Sequence, residues 1–468
     1  MEKIMEKKKI VLIGAGSAVF TKGLIADFIR SDFGSWEIAL CDINPTILEA
    51  VTKLAKKMVE YKHQEDRITI SSSTDRTKLL PGADFVVTTI AVGGREAWLN
   101  DVKIPRKYGI YQPVGDSVMP GGIARAQRMI PQMVAIARDV EKYCPNAYFF
   151  NYSNPMTAIT TAVRKVTDVK MIGLCHGVIY GTRYLARMMQ VDVKRVSTIG
   201  VGLNHLTFFY DIRVDGEDAT PRLAEIIQKQ KEDVEKNGHV ANFFNSQLDD
   251  TEIPNYLDNP FSWELWQRYH GLPAVVDRHA NEFFPERFPH GQFYGRTLGI
   301  DAFPIEEVIN RGEKTYRDML KQGEEGVKID DSLFNKAEGE HEQLVEMIKS
   351  LLLDERKTFS INVPNHGAVQ GLPDDAVLEL PGIATARGFM PMTIDDGFTP
   401  ELKGIIARKL APVNMTVKAA LEGDRDAWVE ALLLDGAVTS EDVAEKLVDD
   451  YMAAYNNDEH TWLPQYKK

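Results

Sequence analysis

The chain has 468 residues, of which 44% are hydrophobic and 26% are charged, and its formal net charge at pH 7 is −13. These values are ordinary for a soluble globular protein, and the length suffices for two to three domains. The acidic balance argues against nucleic acid and an anionic membrane surface as partners. Three cysteines in so long a chain exclude a disulfide framework and indicate a reducing, cytoplasmic setting. No segment is expected to be a signal peptide or a membrane span.

The first third of the chain alternates short apolar runs with helical patterns. An amphipathic helix is predicted over Pro45 to Tyr61. The predicted strands are Lys9–Ile13, Glu37–Cys41, Ile68–Ser72, Asp84–Ile90, Tyr148–Asn154 and Lys170–Leu174. Strands that alternate with helices predict an α/β fold with a Rossmann-like, doubly wound parallel sheet.

The second half has a different pattern, which predicts an α+β domain for substrate binding and oligomerisation. Further strands are predicted at Ser197–Gly202, Leu206–Val214, Ser360–Val363 and Val377–Leu380. Helices are predicted at Pro221–Lys236, Pro304–Glu355 and Leu402–His460, and short helices and loops at Pro254–Phe288. We therefore predict an NAD-binding domain at residues 1–190 and a second domain at residues 191–468.

A glycine-rich turn between the first strand and the first helix predicts a dinucleotide site. Gly14 permits a tight turn, and Gly16 allows a pyrophosphate to approach the backbone and the helix N-terminus. Val19 replaces the third glycine of the usual fingerprint. Asp42 ends the second strand, where a carboxylate binds the ribose diol of NAD and repels the 2′-phosphate of NADP. The candidate cofactor-binding residues are Gly14, Gly16, Ser17, Phe20 and Asp42.

Polar residues follow several predicted strands and form the second candidate site. They are Asp116, Asn154-Pro155, Cys175-His176-Gly177 and Asn204-His205. Because the carboxyl ends of parallel strands share one edge, we expect these residues to converge on the ligand crevice. The alternative for any single residue is a structural role, since a free cysteine is commonly a small buried hydrophobe.

Taken in order along the chain, these motifs resemble glycoside hydrolase family 4, and the resemblance covers residue 9 to about residue 455. The motifs are Gly14 to Phe20, Asn154-Pro155, Cys175-His176-Gly177, Asn204-His205, Asn362-Val363-Pro364-Asn365 and Leu372-Pro373-Asp374-Asp375. The resemblance implies an NAD- and divalent-metal-dependent glycosidase, the exception to hydrolysis by two carboxylates.

The implied chemistry is transient oxidation of the sugar at C3 with NAD. Metal-assisted removal of the C2 proton, elimination of the glycosidic oxygen and addition of water then follow. The resemblance implies that Cys175 and His205 bind the metal, usually Mn²⁺. Because thiolate is a soft ligand and manganese prefers oxygen, we expect a labile site that substrate hydroxyls and water complete.

Two carboxylates are the candidate acid and base, and the sequence leaves open which is which. Asp116 lies in the Gly- and Pro-rich segment 115–122, which we expect to be a loop, and Asp277 follows an apolar run that can raise its pKa. Relatives that act on unphosphorylated α-glycosides carry catalytic carboxylates at both positions. The alternative for Asp277 is an ion pair with Arg278 or Arg287.

The substrate prediction depends on departures from the phospho-glycosidase pattern. Cys175-His176-Gly177-Val178 stands where phosphorylated-sugar members carry Cys-Asn-x-Pro, which argues against a 6-phospho substrate. The segment 277–283 resembles the α-galacturonidase branch, and a uronic acid needs a cation such as Arg278 or Arg95. The candidate substrate residues are Asn154, His176, Arg95 and Arg278. An α-galactosidase or an α-glucuronidase of the same family is the alternative.

Two functions from other classes share the N-terminal pattern. An NAD-dependent 2-hydroxyacid dehydrogenase would need no Cys175, and a noncatalytic NAD-sensing protein would turn nothing over. The family resemblance favours the glycosidase, with a small carbohydrate as partner and a homodimer or homotetramer as the assembly.

Overall fold

The structure, a computed structural model, describes residues 6–17, 20–31, 33–238, 258–334, 342–459 and 461–466. Some residues discussed above therefore lie outside the described part of the chain. They are residues 1–5, Val19, residues 254–257, residues 335–341 and His460.

Six parallel strands form the N-terminal half of a single 13-stranded sheet, in the order β3-β2-β1-β4-β5-β6. This is the strand order of the Rossmann fold. The strands are β1 (Lys8–Ile13), β2 (Trp36–Cys41), β3 (Ile68–Ser73), β4 (Phe85–Thr88), β5 (Tyr148–Asn151) and β6 (Met171–Gly173). The helices are α1 (Phe20–Arg30), α2 (Pro45–Tyr61), α3 (Gly94–Arg106), α4 (Met119–Tyr143), α5 (Met156–Val166) and α6 (Gly177–Met189).

The remaining strands of this sheet are antiparallel and extend it from the β6 side, in the order β6-β13-β14-β7-β8-β10. The strands of the second half are β7 (Val196–Leu203), β8 (Leu206–Val214), β9 (Glu217–Asp218), β10 (Leu272–Pro273), β11 (Gln292–Phe293), β12 (Arg296–Thr297), β13 (Thr358–Pro364), β14 (Val377–Thr385) and β15 (Gly388–Pro391). The helices are α7 (Thr220–Asn237), α8 (Pro260–Tyr269), α9 (Val276–Ala280), α10 (Ile305–Gly323), α11 (Glu342–Leu353), α12 (Pro400–Glu422), α13 (Arg425–Asp435) and α14 (Glu441–Tyr455).

The central strands are buried on both faces, as their continuous apolar runs predict. In β1, Ile10 and Leu12 pack into one hydrophobic cluster, and Val11 and Ile13 pack into the cluster on the opposite face. Helices of the second half cover part of the first: α12 packs against α4 and α5, and α10 packs against α2. Near residue 190, where the domain boundary is predicted, the chain passes from the parallel strands to the antiparallel strands of the same sheet.

The α/β fold with its Rossmann-like sheet is confirmed, and one loop prediction is wrong. Residues 119–122, expected to continue a Gly- and Pro-rich loop, form the first turn of the 25-residue helix α4. A Cβ on Gly122 would lie 2.4 Å from the carbonyl carbon of Ser117. This glycine therefore serves close packing of the helix start against the preceding loop. Among the helices of the described ranges, none is long and apolar enough to cross a membrane.

Candidate active site

The glycine-rich turn after β1 forms a cradle that fits a dinucleotide. Gly14 has φ +91°, and a Cβ there would lie 2.9 Å from the carbonyl carbon of Thr89. The Gly16 amide donates to Asp42 Oδ2 at 2.8 Å, and a Cβ on Gly16 would lie 2.7 Å from that oxygen. No side chain fits at either glycine, so the backbone stays accessible to a pyrophosphate. Asp42 lies at the end of β2, as predicted for a ribose-binding carboxylate.

The other two residues predicted for the cofactor have local structural contacts. Ser17 Oγ accepts a hydrogen bond of 3.4 Å from the amide of Phe20, which begins α1. The Phe20 ring is buried, with its centroid 4.5 Å from that of Tyr152. Ser17 therefore helps to start the helix that points at the cradle, while Phe20 packs inward. Their roles as cofactor-binding residues stay predictions.

A chain of polar contacts connects Asp116 to His205. Ser117 Oγ donates to Asp116 Oδ1 at 2.8 Å and lies 2.8 Å from His205 Nδ1. His205 Nδ1 is also 3.4 Å from Asp116 Oδ1. Burial alone would lower the pKa of His205, but the Asp116 carboxylate and the hydrogen bonds outweigh burial and raise it. Burial alone would raise the pKa of Asp116, but the charge of His205 and its hydrogen bond hold that pKa far below its usual range.

His279, which was not predicted from the sequence, completes a group of three candidate metal ligands with Asp116 and His205. Ligand atoms of Asp116, His205 and His279 all lie within 4.8 Å of one another. The two imidazole ring centroids are 4.1 Å apart, and burial together with His205 lowers the pKa of His279. His279 Nδ1 is buried and has no hydrogen-bond partner among the described residues. Two imidazoles and a carboxylate are ligands suited to a divalent transition metal such as Mn²⁺.

Cys175 lies beside this group, just after β6. Its sulfur accepts a hydrogen bond of 3.3 Å from the Gly177 amide. Cys175 also lies close enough to His205 to contribute to the raised pKa of that histidine. The structure therefore brings together the two residues predicted as metal ligands. His205 reaches this point from a two-residue hairpin turn between β7 and β8, not from the end of a parallel strand.

Three of the predicted substrate residues surround the same cluster. Asn154 Nδ2 donates to Asp116 Oδ2 at 3.0 Å, while Asn154 Oδ1 is buried without a partner in the described part of the chain. His176 packs its ring 4.6 Å from that of Tyr180 and lies close enough to His279 to affect its pKa. Arg278 is half-buried next to His279, and its Nε has no hydrogen-bond partner within the described ranges.

The structure places Asp277 away from this cluster. Its Oδ2 accepts from the Phe261 amide at 3.0 Å, and its Oδ1 accepts from the amide and hydroxyl of Ser262 at 2.7 and 2.6 Å. The carboxylate therefore holds the first turn of α8. Because residues two apart on a helix point in nearly opposite directions, Asp277 faces α8 while His279 faces His205. Burial raises the pKa of Asp277 to about 7. Its catalytic role stays a prediction, and the ion pair with Arg278 or Arg287 is not observed.

Arg95 also does not join the cluster. It pairs with Glu313 Oε1 at 3.0 Å, donates to the Gly312 carbonyl at 2.7 Å and lies 5.3 Å from the centre of the Tyr316 ring. These partners all belong to α10, which packs against α3. Arg95 therefore stabilises the packing of α10. Arg278 is the better candidate for binding an anionic group of the substrate.

Comparisons with known proteins identify the family. Residues 9–191 match the model of the family 4 glycosyl hydrolases, and residues 200–438 match the model of the C-terminal domain of that family. The chain belongs to glycosyl hydrolase family 4. It is therefore a glycosidase, and the dehydrogenase and the noncatalytic sensor are not retained as alternatives.

Relatives within family 4 differ in the sugar they act on. An alpha-glucosidase of Erwinia rhapontici is 31% identical over 94% of this chain and 96% of its own length. An alpha-galacturonidase of Thermoanaerobacterium saccharolyticum is 28% identical over 92% of this chain and 91% of its own. Among solved structures, a 6-phospho-alpha-glucosidase from gut microorganisms, in complex with NAD and glucose-6-phosphate, has a TM-score of 0.80 and 25% identity, covering 96% of this chain and 98% of that chain. These similar identities do not select one substrate.

Proposed function

We propose that this family 4 enzyme hydrolyses unphosphorylated α-glycosides, with α-galacturonides as its substrate class, through transient oxidation at C3 and elimination across C1 and C2. The observation that carries the proposal is the group of Asp116, His205 and His279 with Cys175 beside it. A glycosidase of the two-carboxylate kind has no use for a thiol beside two imidazoles, whereas a metal-assisted elimination does. We further propose a cytoplasmic location and a homo-oligomeric assembly.

Both cofactors fit the residues present. NAD would be held by the Gly14–Gly16 turn and Asp42, and would supply reversible oxidation of a sugar hydroxyl. A divalent cation such as Mn²⁺ would be held by the metal-ligating group and would stabilise negative charge on the C2 and C3 oxygens. The orphaned Asn154 Oδ1 is an acceptor for a substrate hydroxyl donor, because a buried amide oxygen gains most from such a partner.

Asp116 is the better placed of the two proposed acid–base carboxylates, although its pKa is held far below its usual range and that of Asp277 is raised to about 7. Ser117 Oγ lies between Asp116 and His205 Nδ1, so a proton can pass between the carboxylate and the imidazole through this hydroxyl. The same carboxylate is also a possible metal ligand, because its oxygen lies within reach of both histidines. For Asp277 to act as an acid or base, its hydrogen bonds to Phe261 and Ser262 at the start of α8 must be released when substrate binds.

Arg278 supports an anionic sugar, such as a uronide, over a neutral one. Arg278 precedes His279 and lies close enough to lower its pKa, and its Nε is buried without a partner in the described segments. A carboxylate on C6 would provide that partner through a bidentate, charge-assisted pair. The Cys175-His176-Gly177 sequence, which departs from the phospho-glycosidase pattern, argues against a phosphate as that anion.

The substitution Arg278→Met is expected to reduce kcat/KM for 4-nitrophenyl α-galacturonide by about 10²-fold. It should change kcat/KM for 4-nitrophenyl α-galactoside by less than about threefold. The reason is that a lost charge-assisted hydrogen-bond pair costs about 1.5–3 kcal/mol in a partly buried site, and a neutral sugar never makes that pair. Initial rates with both glycosides, in the presence of NAD, Mn²⁺ and a thiol reductant, measure this difference.

The exposed Arg287 provides the matched control, because Arg287→Met removes the same charge nine positions away. If the wild-type enzyme hydrolyses the galactoside or an α-glucuronide faster than the galacturonide, the proposed substrate class is wrong. If Arg278→Met lowers the rates on galacturonide and galactoside equally, Arg278 does not read the C6 carboxylate.

A further inference from the structure

A buried carboxylate, Glu282, connects two segments of the active site that are far apart in sequence. Glu282 is 1% exposed and lies in the single 3₁₀ turn Asn281–Phe283 that follows α9. Its Oε1 accepts hydrogen bonds from the amides of Val114 at 2.8 Å and Gly115 at 2.9 Å. These two residues directly precede Asp116, so Glu282 holds the backbone that presents Asp116 and Ser117 to His205.

The segment that carries Glu282 is itself fixed on both sides. Since α9 and the 3₁₀ turn follow without a break, His279 and Glu282 are three residues apart and project to the same side. His279 reaches His205 and Glu282 reaches the 114–117 loop, while Asp277 faces the other way and binds the start of α8. One short helical segment therefore provides a candidate metal ligand, His279, and also the side chain that holds the backbone before a second candidate ligand, Asp116.

The loop needs such support because its conformation is not one that the chain adopts freely. Gly115 has φ +64°, and a Cβ there would lie 2.7 Å from Val102 Cγ2. Met119, at the far end, has φ +59°, and its amide donates to Asp435 Oδ2 at 3.3 Å. A left-handed backbone conformation costs free energy at a non-glycine residue such as Met119, so contacts of this segment must offset that cost.

The burial of Glu282 is also expensive unless its hydrogen bonds are needed. Removing a carboxylate from water costs several kcal/mol, and two backbone amides offset only part of this. Burial and the nearby Asp116 raise the pKa of Glu282 to about 8. An apolar side chain cannot accept hydrogen bonds from the two amides, which explains why a side chain with an acceptor oxygen stands there.

We propose that Glu282 is a positioning residue, whose side chain locks the 114–117 loop onto the His279 segment and so sets the geometry of Asp116 relative to His205 and His279. The expected effect on metal binding rests on the proposed function. It predicts that the metal affinity depends on a side chain that is not itself a ligand, as is common for residues that orient ligands.

The experiment compares Glu282→Ala, Glu282→Gln and the matched control Glu286→Ala in the full-length protein. Glu286 is a half-exposed carboxylate four residues on, paired with Arg408, and it does not touch the loop. Hydrogen–deuterium exchange of peptides spanning residues 112–119 reports loop anchoring. Titration with Mn²⁺ alone, followed by the electron paramagnetic resonance signal of free Mn²⁺, reports metal affinity, and NAD fluorescence titration reports the cofactor cradle.

Glu282→Ala is expected to speed exchange in the 112–119 peptides and to weaken Mn²⁺ binding by about 10- to 100-fold, with NAD affinity unchanged within twofold. Glu282→Gln keeps an oxygen that accepts both amides, so it should restore Mn²⁺ affinity to within about threefold of wild type. A general loss of structure would instead weaken NAD and Mn²⁺ binding together and would not be rescued by Gln.

Wild-type exchange and wild-type Mn²⁺ affinity in Glu282→Ala would overturn the inference, as would an equal effect of Glu286→Ala. If Glu282→Ala does not fold, the Gln variant decides, because a loss of Mn²⁺ affinity above tenfold in that variant contradicts a role based on acceptor geometry. Failure of the wild-type protein to bind Mn²⁺ would overturn the proposed metal function, and the exchange measurement would then decide the loop anchoring alone.

Discussion

His205→Asn is expected to abolish Mn²⁺ binding and to reduce kcat/KM by at least about 10³-fold. His205 contacts Ser117 and His279 and lies close to Cys175, so its loss removes a candidate ligand and breaks the hydrogen-bond chain to Asp116. Asparagine is chosen because His205 has φ +65°, a left-handed conformation that Asn adopts with little strain and Ala does not. NAD affinity and the thermal midpoint are measured alongside the rate.

The exposed His366, with φ +45°, provides a control of the same kind, and His366→Asn should leave Mn²⁺ affinity and rate within twofold of wild type. If His205→Asn retains more than about a tenth of the activity with normal Mn²⁺ affinity, the metal is not held at this cluster. A lowered thermal midpoint with lost NAD affinity would show that the substitution damages the fold.

The second large effect is expected at a buried ion pair behind the active site. Arg128 on α4 and Asp101 on α3 are both fully buried and form a bidentate pair, with N–O distances of 2.7 and 2.5 Å. The Tyr455 hydroxyl donates to Asp101 Oδ1 at 2.5 Å, and the Tyr451 hydroxyl donates to the Asp101 carbonyl at 2.9 Å. Asp101→Ala leaves the guanidinium buried without its carboxylate, so the free energy of unfolding should fall by about 3–5 kcal/mol.

Urea denaturation followed by circular dichroism measures this change. The exposed pair Lys446–Asp442 on α14 is the control, since Asp442→Ala should cost less than about 0.5 kcal/mol. The double substitution Asp101→Leu with Arg128→Met should recover most of the loss, because a matched apolar pair avoids the desolvation cost of both charges. A loss below about 1 kcal/mol in Asp101→Ala would contradict the account of this pair as a tightly coupled buried network.

The sequence predicted well those features that local patterns determine. Runs of β-branched and apolar residues gave the strands β1 to β6 to within a few residues, and the order of strand, glycine turn, helix and Asp42 gave the cofactor cradle. The family resemblance, not a local pattern, predicted Cys175 and His205 as metal ligands, and the structure places the two residues close together.

Features that depend on contacts between distant segments were not predictable in this way. Asp277 and His279 stand two positions apart in the sequence, and only the orientation of the five-residue helix α9 decides that the histidine faces the site. Glu282 looks like an ordinary acidic residue until its two bonds to the 114–115 backbone are seen. Gly121 and Gly122 indicated a loop because their close packing against the 115–117 backbone is a tertiary contact. Hydrophobic periodicity carries no information on such contacts.

In the proposed reaction, the glycosidic bond breaks only after a proton has left C2 of the sugar. The most direct test supplies the α-glycoside that the enzyme hydrolyses fastest, labelled with deuterium at C2, together with NAD and Mn²⁺ in ordinary water. We expect the released sugar to carry hydrogen at C2, whereas a parallel deuterium label at C1 is retained. A product that keeps its deuterium at C2 through complete turnover would contradict elimination across C1 and C2.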